Sequence, residues 1–237
     1  MKIQFLLKNT GMYERLGIMT LSSVLKSKGH EVKLLLSEEL GEEEIVEKVK
    51  EYKPHILAYS IMTGEHAYHI ELNKMVRTQY NDAFSVFGGP HPTYTPGMIH
   101  DEYVDAICRG EGEIYFPLLI EKYSKNEDYF TTPNFWFKKK DGSIVKNGFG
   151  DLVENLDTLP NPDRKLMYDA DTQLSARGQK LFMSNRGCPY KCTYCFNHAY
   201  NKMTKGHGDM MRYRSVDSVI EEIREVKDNY FLDRVNT

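Results

Sequence analysis

The chain has 237 residues, 41% of them hydrophobic, with 31 basic and 34 acidic side chains and a formal charge of −3. That length suits one full domain and part of another, and the near-balance of charge excludes an electrostatic footprint for nucleic acid. No apolar run approaches the roughly 20 residues of a membrane span, and the apolar start Met1–Leu7 is too short for a signal peptide.

Strand-like runs fall at Ile3–Leu7, Val32–Leu36, His55–Ile61, Phe84–Phe87 and Ala106–Cys108. Between them, Leu16–Lys28, Glu42–Tyr52 and Glu65–Tyr80 carry apolar residues at three- and four-residue steps, the spacing of a helix with one buried face. Alternation of this kind predicts a doubly wound, mostly parallel sheet. Such sheets bind ligands beyond the carboxyl ends of their strands, near the point where strand order reverses.

The loops at those ends carry the informative residues. Ser60, Thr63 and Gly64 follow the third strand, and Gly88-Gly89-Pro90-His91-Pro92-Thr93 follows the fourth. Paired glycines let backbone come close to a bulky ligand, and the prolines fix the course of the loop. Arg109-Gly110-Glu111-Gly112-Glu113 follows the fifth strand and opens a helix. His66 and His69 share a helix face, where hydrogen-bonded or solvated side chains are the expectation. His91 stands in the ligand-facing loop.

From Asp128 to Gly178 the sequence reads as a connecting segment. It holds a hairpin, Phe135–Phe137 and Ile144–Val145, with Lys138-Lys139-Lys140-Asp141-Gly142 as a solvated tip. The prolines of Leu156-Asp-Thr-Leu-Pro160-Asn-Pro162-Asp-Arg164 predict extended, non-helical chain. Tyr168 and Arg177 are expected in structural roles there.

Lys180–Ser184 reads as a strand, and after it Cys188, Cys192 and Cys195 crowd one loop with C-x3-C-x2-C spacing. Thiolates are soft ligands suited to iron–sulfur clusters, zinc and copper(I). Three of them leave one position of a four-ligand site open. The remaining cysteine, Cys108, lies far upstream, so the triplet fits a three-cysteine cluster, or a zinc site completed by His198 or His207. A disulfide is the weakest reading, because four cysteines without an export signal describe a reducing, cytoplasmic compartment.

The triplet resembles the signature loop of radical S-adenosylmethionine (SAM) enzymes, with Tyr194 before the last cysteine and Asn185-Arg186-Gly187-Cys188-Pro189 and Cys195-Phe196-Asn197 as flanks. The loops of the first half, with Leu16-Gly17 and Lys28-Gly29-His30-Glu31-Val32, resemble the cobalamin-binding domain that precedes the barrel in cobalamin-dependent members of that family. The resemblance implies an α/β protein: a Rossmann-like parallel sheet domain over 1–127, a linker with a hairpin over 128–178, and the start of a radical SAM partial β/α barrel over 179–237. It implies a 4Fe-4S cluster on Cys188, Cys192 and Cys195, with SAM beside Tyr194 and Phe196. It also implies cobalamin near Asn9, Thr10, Ser60, Thr63, Gly64, Gly88, Gly89, His91, Gly110 and Glu111. Many cobalamin domains place Asp-x-His-x-x-Gly after the first strand; here Lys8-Asn-Thr-Gly-Met-Tyr-Glu-Arg15 has no histidine, which implies a cofactor held without a histidine ligand.

The activity so implied is one-electron cleavage of SAM, followed by methyl transfer from cobalamin to an unactivated carbon of an unknown substrate. Ring closure or rearrangement without net methylation is the alternative within the family. A flavodoxin or ferredoxin is the implied reductant. Outside the family, a non-catalytic cobalamin sensor with a zinc site is the rival. After the cysteine loop, Ser215 caps an amphipathic helix running to about Tyr230, and Arg234–Thr237 opens a further strand. A complete eight-unit barrel takes about 250 residues, so the chain is expected to be a truncated enzyme, inactive alone, with a folded cobalamin domain and a poorly stabilised barrel portion.

Overall fold

The computed structural model describes all residues from Met1 to Thr237. They form two compact units: Met1–Asn9 with Leu25–Gly148, and Thr10–Val24 with Phe149–Thr237. No helix is long and apolar enough to cross a membrane.

In chain order the first half comprises β1 (Lys2–Leu7), α1 (Leu16–Ser27), β2 (Glu31–Leu36), α2 (Glu42–Tyr52), β3 (Ile56–Ser60), α3 (His66–Gln79), β4 (Phe84–Gly88), α4 (Pro90–Tyr94), β5 (Ala106–Cys108) and α5 (Tyr115–Ser124). The hairpin β6 (Phe135–Lys138) and β7 (Ile144–Lys146) completes a seven-stranded sheet ordered β2-β1-β3-β4-β5-β6-β7. The first five strands are parallel, and β6 and β7 are antiparallel. Strand order therefore reverses between β1 and β3, the switch point of a doubly wound sheet.

Central position explains the strand sequences. Ile56, Leu57, Ala58 and Tyr59 of β3 are all buried, the continuous apolar run of a strand covered on both faces. The edge strand β2 alternates and exposes Glu31 and Lys33, charges that discourage further strand pairing. In α2, Ile45, Val46, Val49 and Tyr52 make the buried stripe, each worth about 1.5–3 kcal/mol on removal from water. The hairpin expected in a connecting segment instead extends this sheet, because β6 pairs with β5 through Ala106↔Phe137 and Cys108↔Phe135.

The second unit contains α6 (Arg164–Ala170), α7 (Thr172–Ala176), β8 (Gln179–Leu181), β9 (Asn185–Arg186), α8 (Asn197–Met203), β10 (Arg212–Tyr213), α9 (Val216–Asn229) and β11 (Arg234–Asn236). The strands β8 and β11 are parallel neighbours, so the intervening chain is a crossover carrying α8 and α9. Ser215 caps α9, its hydroxyl accepting from the Ser218 amide at 3.2 Å. Segment 156–164 departs from the extended expectation. A 3-10 turn occupies Leu156–Thr158, nucleated where the Asn155 side chain accepts from the Asp157 amide. Proline restricts only the residue before it; Leu159 obeys with ψ of 136°. Asp163 then caps α6 by accepting from the Leu166 amide at 3.2 Å.

Charged groups lie inside this unit. Glu222, 1% exposed, accepts from Arg164 at 2.7 Å and also from Arg214. Tyr168 donates to Glu14 at 3.0 Å and accepts from Arg164 at 3.2 Å. The fully buried Lys180 ammonium donates to Leu174 O and Ser175 O, and so satisfies the last carbonyls of α7. Arg177 donates to Met12 O. Tyr168 and Arg177 thus serve as structural ties.

Candidate functional site

The carboxyl ends of β3, β4 and β5 support three loops that are knitted to one another. The Ile61 amide donates to Gly88 O at 2.9 Å and the His91 amide to Ile61 O at 3.1 Å. Gly89 has φ of +92°, and a Cβ there would meet Ile61 N and Ile61 O at 2.9 Å each. The turn after β4 therefore tolerates only glycine, because backbone crosses backbone. Gly88 is different: a Cβ there would make ordinary contact with Cys108 at 3.7 Å. One glycine of the pair is thus demanded by the loop's own packing, while a Cβ on the exposed Gly64 would meet nothing within 4 Å.

Thr93 clamps the set. Its hydroxyl donates to Gly89 O at 2.8 Å and accepts from the Gly110 amide at 3.0 Å. Gly110, with φ of +83°, is thereby held against the β4 loop. Sequence reasoning gave Thr93 no role; its place four residues after Gly89 was the available signal. Arg109 donates to Thr93 O at 3.3 Å and lies over the Trp136 ring at 4.9 Å. Glu111 O accepts from the Asn134 side chain at 2.8 Å.

The histidines divide by environment. His69 is buried, accepting from the Lys8 amide at 3.3 Å through Nε2 and facing Glu65 O at 2.9 Å through Nδ1. It joins the start of α3 to the end of β1, a structural task. His91 is 4% exposed and stacks on His66, with ring centroids 4.3 Å apart and planes at 16°. Burial, then the neighbouring His66, holds the His91 imidazole below its ordinary pKa. Thr63 reaches both rings: its carbonyl accepts from His66, and its hydroxyl lies 3.4 Å from His91 Nδ1. Ser60, Thr63, Gly64, Gly88, Gly89, His91, Gly110 and Glu111 thus share one linked loop cluster. Asn9 lies elsewhere in its hydrogen bonding, donating to Glu38 at 2.6 Å. Thr10 belongs to the second unit, where its hydroxyl donates to Asp171 at 2.6 Å.

In the second unit, the cysteine loop leaves the sheet after β9. Gly187 has φ of +95°, and a Cβ there would lie 1.8 Å from Met210 O, so the loop is closed against the chain entering β10. Asn201 of α8 donates to Cys188 O at 3.1 Å and reaches Met210 Sδ at 2.7 Å. The Cys195 amide donates to Cys192 O at 3.1 Å, a turn that shortens the path between those two thiols. All three are free thiols on half-buried or exposed positions. They are not gathered: no group of three or more His, Cys, Asp or Glu side chains is arranged to hold a metal ion. His207 faces Asp151 at 3.8 Å, and His198 Nδ1 is buried without a partner, so neither joins the thiols in a ligand group. Tyr194, 91% exposed, and Phe196, 54% exposed, stand beside the thiols.

Residues 6–120 match the B12-binding domain family. That segment of the chain is similar to B12-binding domains. The chain is 29% identical over 213 residues to an uncharacterised methyltransferase of Pyrococcus horikoshii, which covers 88% of this chain and 44% of that protein. It is 31% identical over 150 residues to the cobalamin-dependent radical SAM methyltransferase TokK of Streptomyces tokunonensis, covering 60% of this chain and 22% of TokK. The fold matches the cobalamin-dependent SAM radical enzyme OxsB with a TM-score of 0.78 at 19% identity, over 99% of this chain and 33% of OxsB. The chain is thus similar to parts of cobalamin-dependent radical SAM methyltransferases, and it spans less than half the length of the proteins it matches. The matched residues run from the last two of β1 into α5, and so include the linked loops after β3, β4 and β5.

Proposed function

We propose that the protein is a cobalamin-dependent radical SAM enzyme that transfers a methyl group to an unactivated carbon. The observation that carries this reading is the B12-binding domain followed, in one chain, by a C-x3-C-x2-C loop inside a β–α–β crossover.

The loop cluster suits a large cofactor. Gly64, where a Cβ would meet nothing within 4 Å, leaves open surface beyond the carboxyl edge of the sheet, and Ser60 and Thr63 supply hydroxyls beside it. Cobalamin would be held there by Ser60, Thr63, Gly64, Gly88, Gly89, His91, Gly110 and Glu111. The donor chemistry of the second unit suits an iron–sulfur cluster. Cys188, Cys192 and Cys195 would ligate it, with Tyr194 and Phe196 placed to contact SAM. When bound, these groups supply an electron for SAM cleavage and a transferable methyl group, while the protein orients them and excludes water. The chain's own tasks are local. Gly187 and Asn201 fix the ends of the cysteine loop, Thr93 fixes the β4 and β5 loops, and the exposed aromatics offer apolar faces to a bound nucleoside. A low-potential carrier such as flavodoxin or ferredoxin is the proposed reductant, and the cytoplasm, which keeps thiols reduced, the proposed compartment.

The test is anaerobic reconstitution of the chain with iron, sulfide and hydroxocobalamin, followed by desalting and an absorption spectrum. Retained cobalamin bands with a broad iron–sulfur shoulder, and acid-labile sulfide, are expected. Stoichiometric zinc with cobalamin would replace the enzyme reading by a sensor. Loss of both signals would overturn it.

A further inference from the structure

The His66–His91 pair has no part in the cofactor reading beyond the position of His91, yet it ties together two of the loops on which that reading rests. The His66 ring, from α3, covers the face of a ring that is almost wholly buried. The Thr63 carbonyl is an acceptor only, so the hydrogen on His66 sits on Nδ1. The Thr63 hydroxyl faces His91, so one residue spans both imidazoles. The His91 amide in turn holds Ile61, whose backbone leaves the Gly89 turn no room to shift toward it. Two groups of opposite effect face His91: His66 opposes a proton there and Asp101 favours one, and burial outweighs both.

We propose that His66 is a positioning residue of the cobalamin cradle: stacked on His91 and bonded to Thr63, it holds the β3 and β4 loops together. A proton on His91 places an ion in a buried site. That event favours opening of the stack and release of the Gly89 turn. Cobalamin then binds well at neutral pH and weakly in acid. The inference rests on the cobalamin reading and adds a regulation to that site.

The experiment is equilibrium dialysis of the full chain against hydroxocobalamin at pH 7.5 and 5.5, for the wild type and His66→Phe. Comparison of the two proteins at each pH removes any titration of the cofactor itself. Wild-type affinity is expected to fall at pH 5.5 by several-fold, because the bound form refuses the proton that His91 accepts in the open form. His66→Phe keeps an aromatic face but loses the bond to Thr63; it binds more weakly at pH 7.5 and, with the stack already loosened, loses less than the wild type at pH 5.5, the remaining loss coming from a proton on His91. His66→Gln, which keeps the donor without a charge, behaves likewise and serves if the phenylalanine variant does not fold. In cofactor-free protein, the NMR titration of the His91 ring moves upward in both variants. Equal acid loss in wild type and variants, or an unmoved His91 titration, overturns the proposal alone. No retention by the wild type at pH 7.5 overturns the cobalamin reading, and the proposal with it.

Discussion

Replacing Gly187 by alanine tests how the cysteine loop is closed, and Gly206 supplies its control. The two glycines have nearly the same backbone, with φ of +95° and +90°. A side chain at Gly206 meets nothing within 4 Å, so Gly206→Ala suffers the conformational penalty alone, about 1–3 kcal/mol. At Gly187 the new Cβ falls 1.8 Å from Met210 O and 2.9 Å from the Met210 carbonyl carbon, both backbone atoms that no rotamer change can move. The chain must retreat by more than an ångström, which strips the short β9–β10 ladder of Arg186↔Arg212 and Asn185↔Tyr213. With each lost hydrogen bond worth about 1 kcal/mol, Gly187→Ala is expected to cost about 2 kcal/mol more than Gly206→Ala. The single tryptophan, Trp136, lies on β6 in the first unit, so its fluorescence does not report on this loop. Hydrogen exchange of peptides spanning residues 185–213 does. The Gly187 variant should exchange there about 30-fold faster than the Gly206 variant, with peptides of the first unit unchanged. Equal exchange in the two variants would refute the steric closure.

Gly89→Ala sets a Cβ against the Ile61 backbone, so loss of cobalamin retention is expected, whereas Gly64→Ala, open to solvent, should retain it; dialysis at pH 7.5 separates them. Glu222→Gln weakens the partner of two buried guanidiniums and should destabilise the second unit by about 3 kcal/mol, read by urea unfolding followed through hydrogen exchange of peptides from 149–237. Cys192→Ala is expected to abolish retention of iron and sulfide after reconstitution and leave cobalamin binding intact, checked by metal analysis beside the spectrum. His91 is held below its ordinary value of 6.5 by burial, so its neutral form is the native one. Above 6.5 neither state takes the proton and its contribution to stability is whole. As pH falls through 6.5 the unfolded chain binds a proton that the native ring refuses, so stability of the first unit should decline until the native value is passed, visible as a falling urea midpoint by Trp136 fluorescence.

Periodicity was enough to locate the parallel strands and their helices. Runs such as Ile56–Tyr59 and the stripe Ile45, Val46, Val49 and Tyr52 record burial on two faces and on one, and each pattern is local in the chain. The cysteine spacing is local too, so its ligand chemistry was legible before any fold. The helix α4 was not, because its formation beside Gly89 depends on a backbone turn that no side-chain pattern encodes. The same holds for α6 and the turn at Leu156–Thr158, where Asp163 and Asn155 override the extended tendency of the neighbouring prolines.

By itself, then, the sequence determined the α/β class, the loops at the carboxyl ends of the strands and the three thiols, since hydrophobic period, glycine and cysteine act within a few residues of their own position. Only the tertiary structure decided that the hairpin belongs to the first sheet, that Thr10 bonds Asp171 rather than joining the loop cluster, and that His66 lies on His91. It also distinguished Gly89 from Gly88. Those outcomes turn on which distant atoms meet, and a contact between residues 28 or 161 positions apart leaves no period in the chain.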